Sequence, residues 1–90
     1  MEDKLQKFLG KEVVIDTSTS YLYIGTLTEF GKEYFLLREV DVHDTSQGTS
    51  TKERYILDSK KYTLKTNRKE VLVFREKVVS ISLFEDVLTF

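Results

Sequence analysis

The sequence predicts a mainly β single domain in which an N-terminal helix precedes short strands wrapped into a small barrel or sandwich. Three observations carry this reading. First, residues 71–84, VLVFREKVVSISLF, hold two apolar runs around the charged knot Arg75-Glu76-Lys77, the pattern of two strands joined by a brief turn. Second, this hairpin bears more apolar surface than an isolated pair of strands can hide in water. Val71 to Phe74 place apolar side chains on both faces, so earlier strands must wrap them and some edge is expected to meet another subunit. Third, the apolar period changes from helical spacing in the first ten residues to a period of two from Lys11 onward.

Leu5, Phe8 and Leu9 fall on one face of a short helix, with Glu2 and Asp3 at its positive end and Gly10 as a stop. Val13 and Ile15 define the first strand, and Thr17 to Ser20 a polar turn. The second strand is residues 21–30, YLYIGTLTEF, whose aromatic and β-branched residues suit a sheet. Gly25 in its middle marks a bend or bulge. Residues 30–33, Phe-Gly-Lys-Glu, read as the next turn, with Gly31 able to take positive φ. The third strand runs from Tyr34 through Val40 and Val42 and then dissolves into polar loop.

Ser50 and Glu53 fit a capping box that opens a helix over residues 51–63, with Tyr55, Ile56, Ser59, Tyr62 and Thr63 as a shallow buried stripe. Two short strands, through Tyr55–Leu57 and Tyr62–Leu64, are the competing reading. Val87, Leu88 and Phe90 give the tail apolar residues for packing on the body or on a neighbour.

Ninety residues make one domain, spanning 1–90, that buries roughly 60 to 65% of its unfolded surface. Proline and cysteine are absent, which removes thiolate chemistry, disulfides and cysteine-based zinc sites. The opening MEDKLQKFLGK contains no continuous apolar run, so neither a signal peptide nor a membrane span is expected, and a cytoplasmic location is the default. Formal net charge is −1, but residues 1–47 carry five basic and nine acidic groups while residues 48–77 carry nine basic and four acidic. That asymmetry is compatible with phosphate binding or with an ordinary solvated, lysine-rich surface.

Catalytic equipment is sparse. His43 is the one histidine, and an extended backbone puts it on the same face as Asp41, an arrangement for a base, a weak metal site or simply a charged strand end. Ser46, Ser50, Ser80 and Ser82 lie in no nucleophile elbow, and no glycine-rich phosphate loop occurs. No catalytic residue, metal site or cofactor is assigned. Phe30, Tyr34, Tyr55 and Tyr62 lie near lysines, as stacking rings on a nucleic-acid surface do, and as core or interface aromatics do too.

Three segments together resemble the Sm-like (Lsm) family, in the manner of a divergent bacterial or archaeal-type member: the short helix, residues 10–42 (GKEVVIDTSTSYLYIGTLTEFGKEYFLLREVDV) and the closing VLVFREKVVSISLF. Gly25, Leu27 and Phe30 match the family's glycine, leucine and aromatic positions in its second strand. Leu36 and Leu37 match its third strand, and Val73, Val78 and Ile81 its second motif. The resemblance implies a helix followed by a strongly bent five-stranded antiparallel barrel, with residues 44–69 as an insertion, here helical, between strands three and four. It implies a homo-oligomeric ring that pairs Val71, Leu72, Val73 and Phe74 with Val78, Val79, Ile81 and Leu83 of the next copy. It further implies non-catalytic binding of single-stranded RNA, for which Phe30, Lys32, Tyr34, Arg75 and Lys77 are the candidates. At the family's base-binding positions this chain has Gly31, Glu33, Phe35 and the pair Phe74-Arg75, so a protein-interaction or structural assembly module without RNA binding is the alternative.

Overall fold

The computed structural model describes residues 2–48 and 50–89. A short helix α1 (Glu2–Gln6) precedes strands β1 (Glu12–Thr17), β2 (Tyr21–Phe30) and β3 (Tyr34–Asp44). Helix α2 (Lys52–Lys61) follows, then β4 (Arg68–Phe74) and β5 (Val78–Leu83), with single 3₁₀ turns at Thr45–Gln47, Arg75–Lys77 and Phe84–Asp86. The strands form one five-stranded sheet in the order β4-β3-β2-β1-β5, antiparallel at every pairing.

Two features differ from the sequence expectation. The apolar segments around Arg75-Glu76-Lys77 are not a hairpin: β4 pairs with β3, and β5 pairs with β1. The barrel is also not formed, because β4 and β5 do not pair and the sheet is left open. The 3₁₀ turn instead carries the chain from one edge strand to the other. It is tied down at both ends, with Arg75 N–H donating to the Glu33 carbonyl at 2.9 Å and Ser18 N–H to the Lys77 carbonyl at 2.8 Å.

Three residues can link opposite edges of a sheet only if the sheet curls, and the curl is built where β2 meets β3. Ile24 pairs with Asp41 and Thr26 with Arg38, so Glu39 and Val40 of β3 oppose the single residue Gly25. Such a two-against-one bulge bends its strand and increases the twist. Glu39 takes φ 51°, in the left-handed region that costs a non-glycine residue about 1–2 kcal/mol. Gly25 permits the approach, since a Cβ there would lie 3.1–3.2 Å from Val40 Cγ2, Val40 Cα and the Arg38 carbonyl oxygen. A second register shift between Leu27 and Glu29 adds to the bend. Gly31 does not use the positive φ open to it; Gly10 takes it, at 79°, where it closes the α1 segment.

The sheet buries both faces in part. On one face Val13, Ile15, Leu27, Phe35, Leu37, Val40 and Val73 form the main core, covered from the N-terminal side by Leu5, Phe8 and Leu9. On the other, Val14, Leu22 and Ile24 pack under Tyr55 and Ile56 of α2 and under Leu64, Phe84 and Val87. This second layer explains why Val13, Val14 and Ile15 are buried consecutively rather than alternately.

The predicted helix is present but begins with Thr51, not Ser50, as its N-cap: the Thr51 side chain accepts from Arg54 N–H at 3.1 Å. Glu53 is therefore one residue too early for the capping box. The inward stripe consists of Tyr55, Ile56 and Ser59, whereas Tyr62 caps the helix C-terminus and is 70% exposed. Of the tail, Val87 packs on the sheet and Leu88 is exposed, while the expectation for Phe90 falls outside the described residues.

Replacing Gly25 by Val is expected to lower stability by about 1–3 kcal/mol, because backbone atoms of β3 must retreat from the added side chain. A urea unfolding midpoint equal to that of the wild type would contradict this account of the bend.

Candidate interaction surface

The edge strands are where this fold leaves its main chain unsatisfied. β4 lacks a partner on the side away from β3, and β5 on the side away from β1. Val71 and Val73 face the core, but Leu72 and Phe74 point the other way and are 52% and 61% exposed. The cover expected on both faces of this segment is thus present on one only. On β5, Ile81 and Leu83 pack against the core opposite Ile15 and Val13, whereas Val79 sits at the irregularity between Asp16 and Thr17 and is 65% exposed. Beside β4, Leu72 and Phe74 line a cleft of about 180 Å³ together with Thr17, Tyr21, Tyr23 and Lys77.

Arg75 organises one end of this seam. Its guanidinium donates to the Gly31 carbonyl at 2.7 Å and lies 5.0 Å from the centroid of the buried Phe35 ring. Arg75 is thereby spent on holding the 3₁₀ turn to the β2–β3 connection. The other RNA candidates are also dispersed or committed. Phe30 packs against the main core, and the Tyr34 hydroxyl donates to Glu29, which raises the phenol's pKa. Lys32 and Lys77 are exposed, with Glu33 and Glu76 beside them in sequence. Lys32, Glu33, Phe74, Arg75 and Glu76 share a shallow depression of mixed charge.

The fold does assemble polar groups that the sequence hinted at. Asp41 and His43 share a face of β3 as expected, and both meet Tyr55. The Tyr55 hydroxyl donates to Asp41 at 2.6 Å, and its ring stacks on the imidazole at 3.6 Å between centroids and 9° between planes. Burial, reinforced by the carboxylate, drives the Tyr55 pKa well above its ordinary value. Asp41 therefore accepts from a phenol rather than orienting the imidazole, and His43 Nε2 is buried with no hydrogen-bond partner. No group of three or more potential metal ligands occurs among the described residues. The sequence did not point to the Tyr55–His43 stack, because the two residues meet only once α2 lies across β3.

Asp44 forms a second cluster. Its Oδ1 accepts from the Ser20 hydroxyl at 2.6 Å, the Ser46 hydroxyl at 2.7 Å and the Ser46 N–H at 3.0 Å. Lys52 forms a third, donating to Asp16 Oδ1 and to the Thr17 and Thr19 carbonyls at 2.7–2.8 Å. Both clusters fasten the segment around α2 to the β1–β2 turn.

A scan against protein-family models finds none that matches this chain, and a search of curated proteins finds no match either. With the sheet open and no such match, assignment to the Sm-like family is withdrawn, together with the RNA-binding function the resemblance implied. No helix among the described residues is long and apolar enough to cross a membrane.

The Asp44 cluster makes a pH prediction. The Ser20 hydroxyl first, then the Ser46 groups, pull the Asp44 pKa down to about 2. A depressed carboxylate stabilises the fold above its unfolded pKa of about 3.9, and that contribution is lost as pH falls toward 2. Carboxyl-carbon NMR is expected to show Asp44 titrating near pH 2, and Ser20→Ala is expected to move the midpoint upward. An unchanged midpoint in that variant would contradict the assignment of cause.

Proposed function

We propose that this protein is a non-catalytic assembly module that associates with copies of itself by pairing the outer edge of β4 with the outer edge of β5 on the next copy. The observation that carries the reading is that both edges are open and poorly protected. Soluble sheets blunt their edges with charge, proline, covering elements or strong bulges. β5, VVSISL, contains neither a charged residue nor a proline. In β4 the charges Arg68, Lys69 and Glu70 occupy the first half, leaving Val71 to Phe74 apolar. Pairing these segments would satisfy main-chain groups on both strands and cover Leu72, Phe74 and Val79.

The polar clusters suit a scaffold more than a catalyst. Asp44, Lys52 and the Asp41–Tyr55 pair bond to groups of the fold itself and so act as fastenings. Joining two different edges is a heterologous contact. It gives closed or open assemblies according to the rotation between copies.

Sedimentation of single-edge variants tests the pairing. Phe74→Lys on β4 and Val79→Lys on β5 change exposed residues, so each variant is expected to fold as judged by circular dichroism. Each alone is expected to sediment as the 10.6 kDa monomer. Mixed together they are expected to form a one-to-one dimer, since the pair retains one complete seam. A wild-type protein that stays monomeric at high micromolar concentration would overturn the proposal, as would a Phe74→Lys variant that still dimerises through β5 alone.

A further inference from the structure

A separate surface lies on the outside of α2. Arg54, Leu57, Asp58 and Lys61 recur at the spacing that places side chains on one helical face, while Tyr55 and Ile56 turn inward to the sheet. This outer stripe and the C-terminal segment at Thr89 border a groove of about 750 Å³, with the exposed Tyr62 ring among its lining.

The charges of the groove are divided between structure and solvent. Lys60 donates to the Phe84 carbonyl at 2.9 Å and lies 4.9 Å from the centroid of that ring, so it holds the C-terminal segment against the helix. Lys61 sits 5.4 Å from the Tyr62 ring centroid. Neither Arg54 nor Lys61 is in a salt bridge among the described residues, whose ion pairs are Arg38–Glu70 and Lys52–Asp16. The groove thus offers two available cations, one near each end of the stripe, with the apolar Leu57 and the carboxylate of Asp58 between them.

That order specifies a ligand. Seven residues of helix separate the two cations by roughly 10 Å along the axis; in an extended chain residues four apart share a face at roughly 13 Å, a difference that the long Arg54 and Lys61 side chains take up. We infer that the groove binds a short acidic segment of a partner protein, with two carboxylates four positions apart and an apolar or aromatic side chain two positions from each, all three on one face of the extended chain. The carboxylates pair with Arg54 and Lys61, and the intervening side chain covers Leu57 and Tyr62. Asp58 selects against a strand of phosphates, which would bring negative charge to the middle of the stripe as well as to its ends. A peptide places a neutral residue there.

The test uses the 90-residue protein and a fluorescein-labelled peptide of sequence Gly-Ser-Glu-Ser-Phe-Ser-Glu-Ser-Gly at low salt. Saturable binding is expected, with amide NMR shifts confined to residues 54–62 and 87–89. Replacing both peptide glutamates by glutamine is expected to weaken binding by about tenfold or more, as is the protein variant Arg54→Glu/Lys61→Glu. Circular dichroism of that variant is expected to match the wild type, because both residues are exposed. Four results would overturn the inference: no saturation at millimolar peptide, equal affinity for the glutamine peptide, binding undiminished in the double variant, or tighter binding of a uridine octanucleotide that shifts the same residues.

Discussion

The close approach of β3 to Gly25 is the constraint on which the rest of the structure depends. Two residues of β3 are accommodated opposite one residue of β2, and Val40 and the Arg38 carbonyl occupy the space a side chain would need. The left-handed conformation of Glu39 is a local cost of this arrangement. It is offset by the packing it permits, because a sheet bent at this point wraps Val13, Ile15, Leu27, Leu37 and Val73 into one core. A flat sheet of the same strands would leave much of that surface in water.

Bending without closing has a second consequence. The edges come near enough for Arg75–Lys77 to bridge them, and Arg75 fixes that bridge to Gly31, Glu33 and Phe35. Yet β4 and β5 pair inward only, so each keeps an unpaired side. An internal barrel would have removed both edges. Their persistence, with Leu72, Phe74 and Val79 exposed along them, is the physical basis for the proposed assembly. The α2 face is built on different logic: its inner side is fastened to the sheet through Tyr55, Ile56, Lys52 and Lys60, and its outer side keeps Arg54 and Lys61 available.

Much of the architecture was legible in local pattern. The alternation of β2, the bend at Gly25 and the helical spacing near Tyr55 are short-range signals, and each corresponds to an observed element. Strand partners are a long-range property. Residues 71–84 have the composition of a hairpin, but composition does not record that β4 is drawn to β3 by Leu37↔Val71 and Phe35↔Val73, and β5 to β1 by Ile15↔Ile81. The resemblance to a closed barrel rested on positions such as Gly25, Leu27 and Phe30 that serve a bent sheet of any kind, and so it did not carry function. For the interaction surface, the apolar content of Leu72, Phe74 and Val79 was visible and their exposure was not, since exposure depends on which neighbours arrive. The roles of Arg75, Tyr55 and Asp41 were hidden for the same reason: their partners lie 44, 14 and 14 residues away in the chain.

Assembly through open edges makes a claim about individual backbone amides, and hydrogen exchange measured across a range of protein concentrations tests it most directly. The account predicts that outward-facing amides of Val71–Phe74 and Val78–Leu83 gain protection together as concentration rises, while those of β2 are protected throughout. Protection at only one edge, or fast exchange at both edges regardless of concentration, would contradict it.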